Sequence, residues 1–408
     1  MKHKVIYYLN AFRRMKFIQK AAIIVVVLFV FTGLFSTLLS DNKPLICSYR
    51  NEIYITAFRA GHLRKKLIEE GKLLDFSALR YDWAIWPLIR YIPSDIDEFN
   101  TGCVSPFGPQ NTSNGQWHYM GTDELGRDVA SGLIHGARIS LVVGLGAMAI
   151  SLILGLIVGL IAGYLGDDTL KYPMIPFAII IAAGCLLGFW IFVSMQGFIP
   201  SLIIRGILWI ISLWILIKIV SFLNITGKNS KTVKIPVDFI IQRSIELFKS
   251  IPGFFLLLVA LLIVSGSSLF HITVIIGVLS WPRIAQYVRA ECLRIKQMPY
   301  VRSAQYSGFS SRHIIRHHIL PGVLTSVVIY VAFGIGSAIL LESTLSFLGL
   351  GLGTEHLTWG ALLSESRKYF YAWWLAIFPG FAIFIIVYSF NILGELLLDI
   401  SNPMRRIS

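Results

Sequence analysis

The sequence predicts an all-α polytopic membrane protein of about eight spans with a small α+β segment outside the membrane. Three observations predict it. Apolar residues make up 55% of the chain and charged residues only 14%, whereas soluble domains are nearer a quarter charged. Several apolar runs reach the roughly 20 residues that cross a hydrocarbon layer about 30 Å thick. The net charge of +14 sits in Lys and Arg clusters between those runs, where it sets loop orientation rather than binding nucleic acid.

The first span is read as Ala21–Leu39. Lys2, Lys4, Arg13, Arg14, Lys16 and Lys20 precede it without an acid, so the chain is expected to start in the cytoplasm. The run is too long for the core of a signal peptide and no A-x-A site follows, so it reads as an uncleaved anchor. Residues 41–136 then lie outside. Tyr49–Phe58 reads as strand and Leu63–Gly71 as a short charged helix. Trp83, Trp86, Pro87 and Pro93 suggest a packed, turn-rich piece. Cys47 and Cys103 share this segment, and a disulfide or two free thiols are both open.

Ile139–Leu165 returns inward. Ile175–Val193 and Leu202–Phe222, joined by Gln196–Ser201, form an added out-and-back hairpin, and Lys228, Lys231 and Lys234 place the next loop inside. Phe239–Val264 leaves again, with an amphipathic start (Arg243, Glu246, Lys249) and a kink or break at Pro252. Ile272–Val288 returns. Residues 283–318 hold seven Lys/Arg against the single acid Glu291, the heaviest basic loop in the chain. Gly322–Leu341 leaves, 342–372 lie outside, Trp373–Leu397 returns, and Arg405 and Arg406 close the chain inside. Both termini are expected in the cytoplasm.

The basic loop is more than a connector. Ser303, Ala304, Ser307 and Gly308 fall at i, i+1, i+4 and i+5, on one helical face. So small a face lets another body's surface approach the backbone. Pro321 stands where a new helix would begin. The expectation is a short docked helix, a turn, then a span. The plainer alternative is a surface helix held to anionic lipid by its basic residues. The middles of the spans are almost free of ionisable groups. Glu342 is placed at the outer end of its span, as a gate or helix-contact residue or as a solvated helix end. Ser337, Ser343 and Thr344, with Phe347, complete the gate or pathway candidates.

Tyr300-Val301-Arg302-Ser303-Ala304, then Gly308, then Ile314 to Pro321 with His318, resembles the coupling motif of ABC importer permeases: Glu-Ala-Ala, three residues, Gly, and a distal His-x-Leu-Pro. Arg302 replaces the Glu, Ser303 the first Ala and Gly322 a usual Asn. Gly121-Thr122-Asp123-Glu124-Leu125-Gly126-Arg127-Asp128 and Gly136 to Leu141 are similar to the stretch before the second span in C-type permeases of oligopeptide and dipeptide importers. Glu342 to Gly351, Trp359-Gly360, Trp373-Trp374, Phe378-Pro379-Gly380 and the series Asn391, Gly394, Asp399, Pro403 match the same family's final third. Asn42 to Ile46, Tyr54, Trp83 and Trp86-Pro87 look most like the Yej branch, associated with uptake of peptides and microcin C.

The resemblance implies the type I ABC importer transmembrane fold in a bacterial inner membrane, with six family spans plus the inserted hairpin. It divides the chain into 1–40, the outer segment 41–136, the second span 137–166, the insertion 167–236 and a core permease domain 237–408. A coupling helix near 300–316 would seat in an ATP-binding subunit through Tyr300, Arg302, Ser303, Ala304, Ser307, Gly308, His318 and Pro321. The implied partners are a B-type permease, two ATP-binding subunits or a fused ATPase, an extracytoplasmic solute-binding protein and a peptide-like substrate. ATP and Mg would be bound by the partners, because Gly227-Lys228 runs into Asn229 and makes no P-loop. No cofactor is expected in this chain, and no HExxH or GxSxG pattern marks an enzyme. His313, His317 and His318 lie beside Arg312 and Arg316 with no acid, which argues against a metal. The alternative function is an ion-coupled secondary transporter, but the chain has one Pro-interrupted span and no repeat. The insertion has no counterpart in the family pattern; a docking face, a lipid-facing buttress and a tolerated insertion are all open.

Overall fold

A backbone inside a bilayer must satisfy its own polar groups, which long apolar runs do by forming helices. The computed structural model describes residues 15–49, 51–56, 76, 79, 81–111, 116–167, 171–173, short pieces between 183 and 218, 232–263, 268–353 and 356–401. Among these, five helices are long and apolar enough to cross a membrane. The first is α1 (Phe17–Leu34), which breaks at Phe35 before a single turn, α2 (Ser36–Leu39). The predicted run to Leu39 is therefore not one straight helix. The second, α3 (Val129–Leu165), starts ten residues before the predicted edge. Its cap explains the early start: the Asp128 carboxylate accepts the Ser131 N–H at 2.7 Å.

Between α2 and α3 lies a three-stranded antiparallel sheet, β1 (Ile46–Tyr49), β2 (Glu52–Ile55) and β3 (Trp83–Ile85), in the order β2-β1-β3. The single strand expected over Tyr49–Phe58 is instead a hairpin. Its turn places Asn51 at φ +62°, a conformation Asn tolerates. Cys47 is buried under this sheet with Tyr49 and Phe76. Cys103 belongs to a different core, with Val129, Leu362 and Trp374, and both thiols are free. The helix expected over Leu63–Gly71 lies outside the described residues.

The inserted hairpin also lies largely outside them. At its base β4 (Lys171–Pro173) pairs antiparallel with β5 (Thr232–Lys234), and the Trp209 indole donates to the Gly184 carbonyl at 3.1 Å. The span expected over Phe239–Val264 is two helices, α4 (Val237–Ser250) and α5 (Gly253–Ile263), bent by 84°. Pro252 removes a hydrogen bond at the junction. The 11 residues of α5 reach only about 16 Å at 1.5 Å each, about half a bilayer. The pair makes a sixth span only as one bent unit.

The next helix, α6 (Leu269–Lys296), runs eight residues past its predicted end. The short α7 (Pro299–Tyr306) follows. The long α8 (Ser311–Phe347) is continuous through a π turn at Ile315–Ile319, α9 (Trp359–Ser366) is short, and α10 (Trp373–Ser401) closes the described chain. A stripe of glycines seats α6 on α3. A Cβ at Gly155 would lie 2.6 Å from Ile284, one at Gly159 2.5 Å from the Ala285 carbonyl, and one at Gly163 2.8 Å from Cys292. Small residues four apart let two backbones approach where lipid supplies no hydrophobic drive. Leu141, Ile276, Ile339 and Phe390 form the mid-bundle core. Val288, Ile295, Val301, Ile319 and Val323 form a second core at the end that bears α7.

Gly159→Val should therefore push α6 off α3 and cost about 1–3 kcal/mol in denaturation of the detergent-solubilised protein. Gly253→Ala, where an added Cβ meets nothing within 4 Å, is expected to leave the midpoint unchanged.

Candidate functional site

The α7 end is built from a proline, a glycine and two buried apolar side chains. Pro299 sits at the first helical position, where its missing N–H costs nothing. The helix ends where Gly308 takes φ +78°. The Phe309 N–H then donates to the Ala304 carbonyl (3.3 Å) and the Gly308 N–H to that of Gln305 (3.1 Å), a Schellman closure. Val301 and Ala304 are buried, packed with Ile295, Ile314 and Ile319. Tyr300, Arg302, Ser303, Tyr306, Ser307 and Phe309 face outward, with Tyr306 90% exposed.

This corrects the expected small-residue face. Ala304 turns into the protein's own core, while Ser303, Ser307 and Gly308 are exposed. An eight-residue helix needs its i and i+3 apolar pair to stay docked, so Val301 and Ala304 serve that purpose. Gly308 is required by its φ and not by close approach, since an added Cβ would meet nothing within 4 Å. The outward face is aromatic, with Tyr306 and Phe309 at its tip. Among the described residues Arg302 has no ion-pair partner.

Pro321 lies in the first turn of the regular α-helix that begins at Leu320, as expected, but helical turns precede that segment and run into it. α8 starts at Ser311, with Ser310 as its cap and the Ser310 hydroxyl facing the His313 N–H at 3.4 Å. Pro321 sits ten residues inside. Its ring would press on the carbonyl one turn back, and the π turn at Ile315–Ile319 widens the helix there. His318 is half-buried with its ring 6.1 Å from Tyr300. His313 stacks between Phe309 (4.9 Å) and His317 (4.3 Å). Among the described residues no group of three or more His, Cys, Asp or Glu could hold a metal. α7 is thus clamped between the end of α6 and the start of α8.

Glu342 is not at a solvated helix end. α8 continues to Phe347, and Glu342 is fully buried. Ser346 donates to its carboxyl at 2.9 Å, and Ser343 and Ser140 at 3.4 Å each. A buried carboxyl needs such partners, and Ser140 makes the contact one between α8 and α3. Ser343 is buried as well, and Gly360 abuts it: a Cβ there would lie 2.2 Å from the Ser343 carbonyl oxygen. Thr344 donates to the Leu340 carbonyl at 2.7 Å. Phe347 lies under the Arg367 guanidinium, 4.4 Å from its ring centre. Ser337 alone of the pathway candidates lines a mid-bundle cavity of about 300 Å³.

The Gly121–Asp128 stretch forms a polar latch at the other end of the bundle. Asp123 accepts the Arg127 Nε–H at 2.6 Å, and Arg127 Nη2 reaches Glu365 of α9 at 2.7 Å. The Trp374 indole donates to the Thr122 carbonyl at 3.0 Å. Gly126, at φ +83°, lets the Asp97 carbonyl approach within 2.3 Å of where a Cβ would be. Buried His118 bridges Asp128 (2.9 Å) and Asp97 (3.3 Å). Sequence reasoning missed Glu365, whose partner Arg127 lies 238 residues away, and His118, which stands just before the Gly121–Asp128 stretch that holds its partner Asp128. Burial and the nearby Asp123 push the Glu365 carboxyl up to about 7. Burial opposes the charged form of His118, but the Asp128 and Asp97 carboxylates outweigh it and raise its pKa. Asp97 is held below its usual range: burial opposes this, and hydrogen bonds from Asn100, His118 and the Phe99 N–H prevail.

A helical bundle of membrane-spanning length, with a clamped surface helix at one end and a lined cavity within, has the build of a membrane transport subunit. Residues 231–407 match the family described as the binding-protein-dependent transport system inner membrane component. The chain is 30% identical over 287 residues to a glutathione transport system permease protein of Pectobacterium atrosepticum, covering 70% of this chain and 72% of that one. It is 29% identical over 287 residues to a dipeptide transport system permease protein of Alkalihalophilus pseudofirmus, with the same two coverages. Its identity to an oligopeptide transport system permease protein of Haemophilus influenzae is 29% over 291 residues, 71% of each chain. The chain belongs to this family: it is a permease subunit of a binding-protein-dependent ABC importer. These relatives do not single out the Yej branch.

The latch predicts a pH dependence. His118 and Glu365 have raised values, so their stabilisation is complete below their ordinary values of about 6.5 and 4.3 and is lost as pH rises through the folded ones. Asp97 has a lowered value, so its share is lost only in acid, as pH falls through its folded value. The melting temperature of the solubilised protein should fall as pH rises from about 4.3 through about 7, where Glu365 loses its proton, and go on falling above about 6.5 as His118 loses its own. Glu365→Gln should flatten part of that fall, read by thermal unfolding across the pH series.

Proposed function

We propose that this chain forms one half of the pathway of an importer of peptides or peptide-like solutes, driven by ATP hydrolysed on separate subunits. The observation that carries the reading is the clamped α7 with its exposed aromatic tip. Tyr306, Phe309 and Tyr300 offer about what an interface anchor needs: large, rigid side chains on a fixed base. Arg302, Ser303, Ser307 and Gly308 would border the contact, with Ala304, His318 and Pro321 holding the helix in place. ATP and Mg would sit on two ATP-binding subunits or a fused ATPase. Closure of those subunits would displace α7, and α6 and α8 would carry the shift to the cavity as a two-state change. A B-type permease would complete the pathway and a solute-binding protein would deliver solute at the latch end. Both termini and α7 would then be cytoplasmic, as the basic clusters suggest. Glu342 would act as a fixed contact between α3 and α8 near the pathway. The substrate class follows the dipeptide, oligopeptide and glutathione systems of the relatives. Ion-coupled transport is not favoured, since the family works with a binding protein.

Tyr306→Asp tests the reading without touching the core. Stability should change by less than about 0.5 kcal/mol, as for an exposed site. ATPase co-purification and ATP-driven peptide uptake should each fall about tenfold or more. Unchanged uptake with the ATPase still bound would remove α7 from the interface.

A further inference from the structure

α6 carries a further charge, away from both the α7 end and the polar latch. Arg283 lies near the middle of this helix, beside Pro282, and lines the mid-bundle cavity of about 300 Å³. Arg283 falls within the predicted Ile272–Val288 span although it is also counted with the basic 283–318 stretch; the helix continues to Lys296, so Arg283 belongs to the bundle and not to a loop. The cavity is walled by α3, α5, α6 and α8 through mostly apolar side chains such as Leu257 and Ile276, with Ser280, Ser337 and Tyr330 as its other polar groups. Both serines donate back to their own helices, Ser280 to the Ile276 carbonyl (2.7 Å) and Ser337 to that of Phe333 (3.1 Å). They present lone pairs to the space and not protons.

The other arginines of α6 have partners. Arg289 binds Asp238 through both carboxylate oxygens, and Arg294 binds Glu291. Arg283 has no ion-pair partner among the described residues, is exposed, and is one of the residues that line the cavity. A cation in an apolar helical wall marks a pathway or a ligand. A guanidinium offers a planar fork that matches a carboxylate. A cavity of this size is at the lower end of those that hold small ligands, about one or two amino-acid residues.

We infer that Arg283 and its cavity form a transit site for the terminal carboxylate of a peptide-like solute. The inference rests on the reading of the chain as a peptide permease and adds a recognised group to it. An acid on the second permease is the competing partner, and the test separates the two.

The complete transporter in proteoliposomes, wild type and Arg283→Gln, is given a tripeptide with a free C-terminus and the same tripeptide amidated. The solute-binding protein is common to both, so its own preference cancels. The acid-to-amide uptake ratio should fall about tenfold in the variant, and Arg283→Lys should restore part of it. Equal loss of acid and amide uptake, an unchanged ratio, or release of the second permease would overturn the site. A second measurement needs no peptide transport. Ser337→Cys in the assembled transporter is reacted with an anionic and a cationic methanethiosulfonate reagent. Arg283 should favour the anion, and Arg283→Gln should abolish that bias. No bias with Arg283 present would refute the site. A bias without ATP-driven peptide uptake would keep the anion site and reject peptides as its solute.

Discussion

The close seating of α6 on α3 is the constraint on which the other features rest. Three glycines four residues apart let the two backbones meet, and larger side chains there would collide with Ile284, Ala285 or Cys292. α6 so placed supports α5 at one side and brings Arg283 to the cavity. Its end supplies Ile295, the floor on which Val301 and Ala304 dock. A displacement of α7 can therefore reach the middle of the bundle through packed side chains, without a flexible joint. The π turn in α8 lies on the same route, and widened turns of this kind are frequent at functional sites.

The two ends of the bundle are held by different physics. The α7 end is an apolar clamp with aromatic side chains outside. The opposite end is a buried polar network in which Arg127 joins the Asp123 loop to α9 and His118 joins two aspartates. Buried networks of this kind fix geometry because each unpaired member would be costly. The latch ties the start of α3 to α9 and, through Trp374, to α10. The end of the bundle away from α7 is thus a fixed point, tied by side-chain bonds to three of its elements.

Much of the bundle was legible in the sequence, because hydropathy alone marks runs that must be helical in lipid. Helix ends were less so. The Asp128 cap adds ten residues to α3, and the charges of Arg289, Arg294 and Lys296 hid the continuation of α6 past Val288. A helix near 300–316 was foreseen, but it ends at Tyr306 and a second begins at Ser311, and its orientation was not foreseen: spacing places Ser303 and Ala304 on one side without saying which side meets the protein's own core. Pro321 marked the start of the regular α-helix at Leu320 but not the helical turns before it, which a π turn joins to that helix. Glu342 looked interfacial because its three hydroxyl partners include Ser140, about 200 residues away. The glycine stripe at Gly155, Gly159 and Gly163 was readable from spacing and went unused.

The central claim is that α7 presents its aromatic tip to a nucleotide-hydrolysing partner. A photo-reactive amino acid in place of Tyr306, activated in intact cells, tests it most directly, with the captured chain identified by mass spectrometry. Capture of an ATP-binding subunit, stronger or weaker with nucleotide state, is the result expected. Capture of lipid or of the solute-binding protein alone would contradict it.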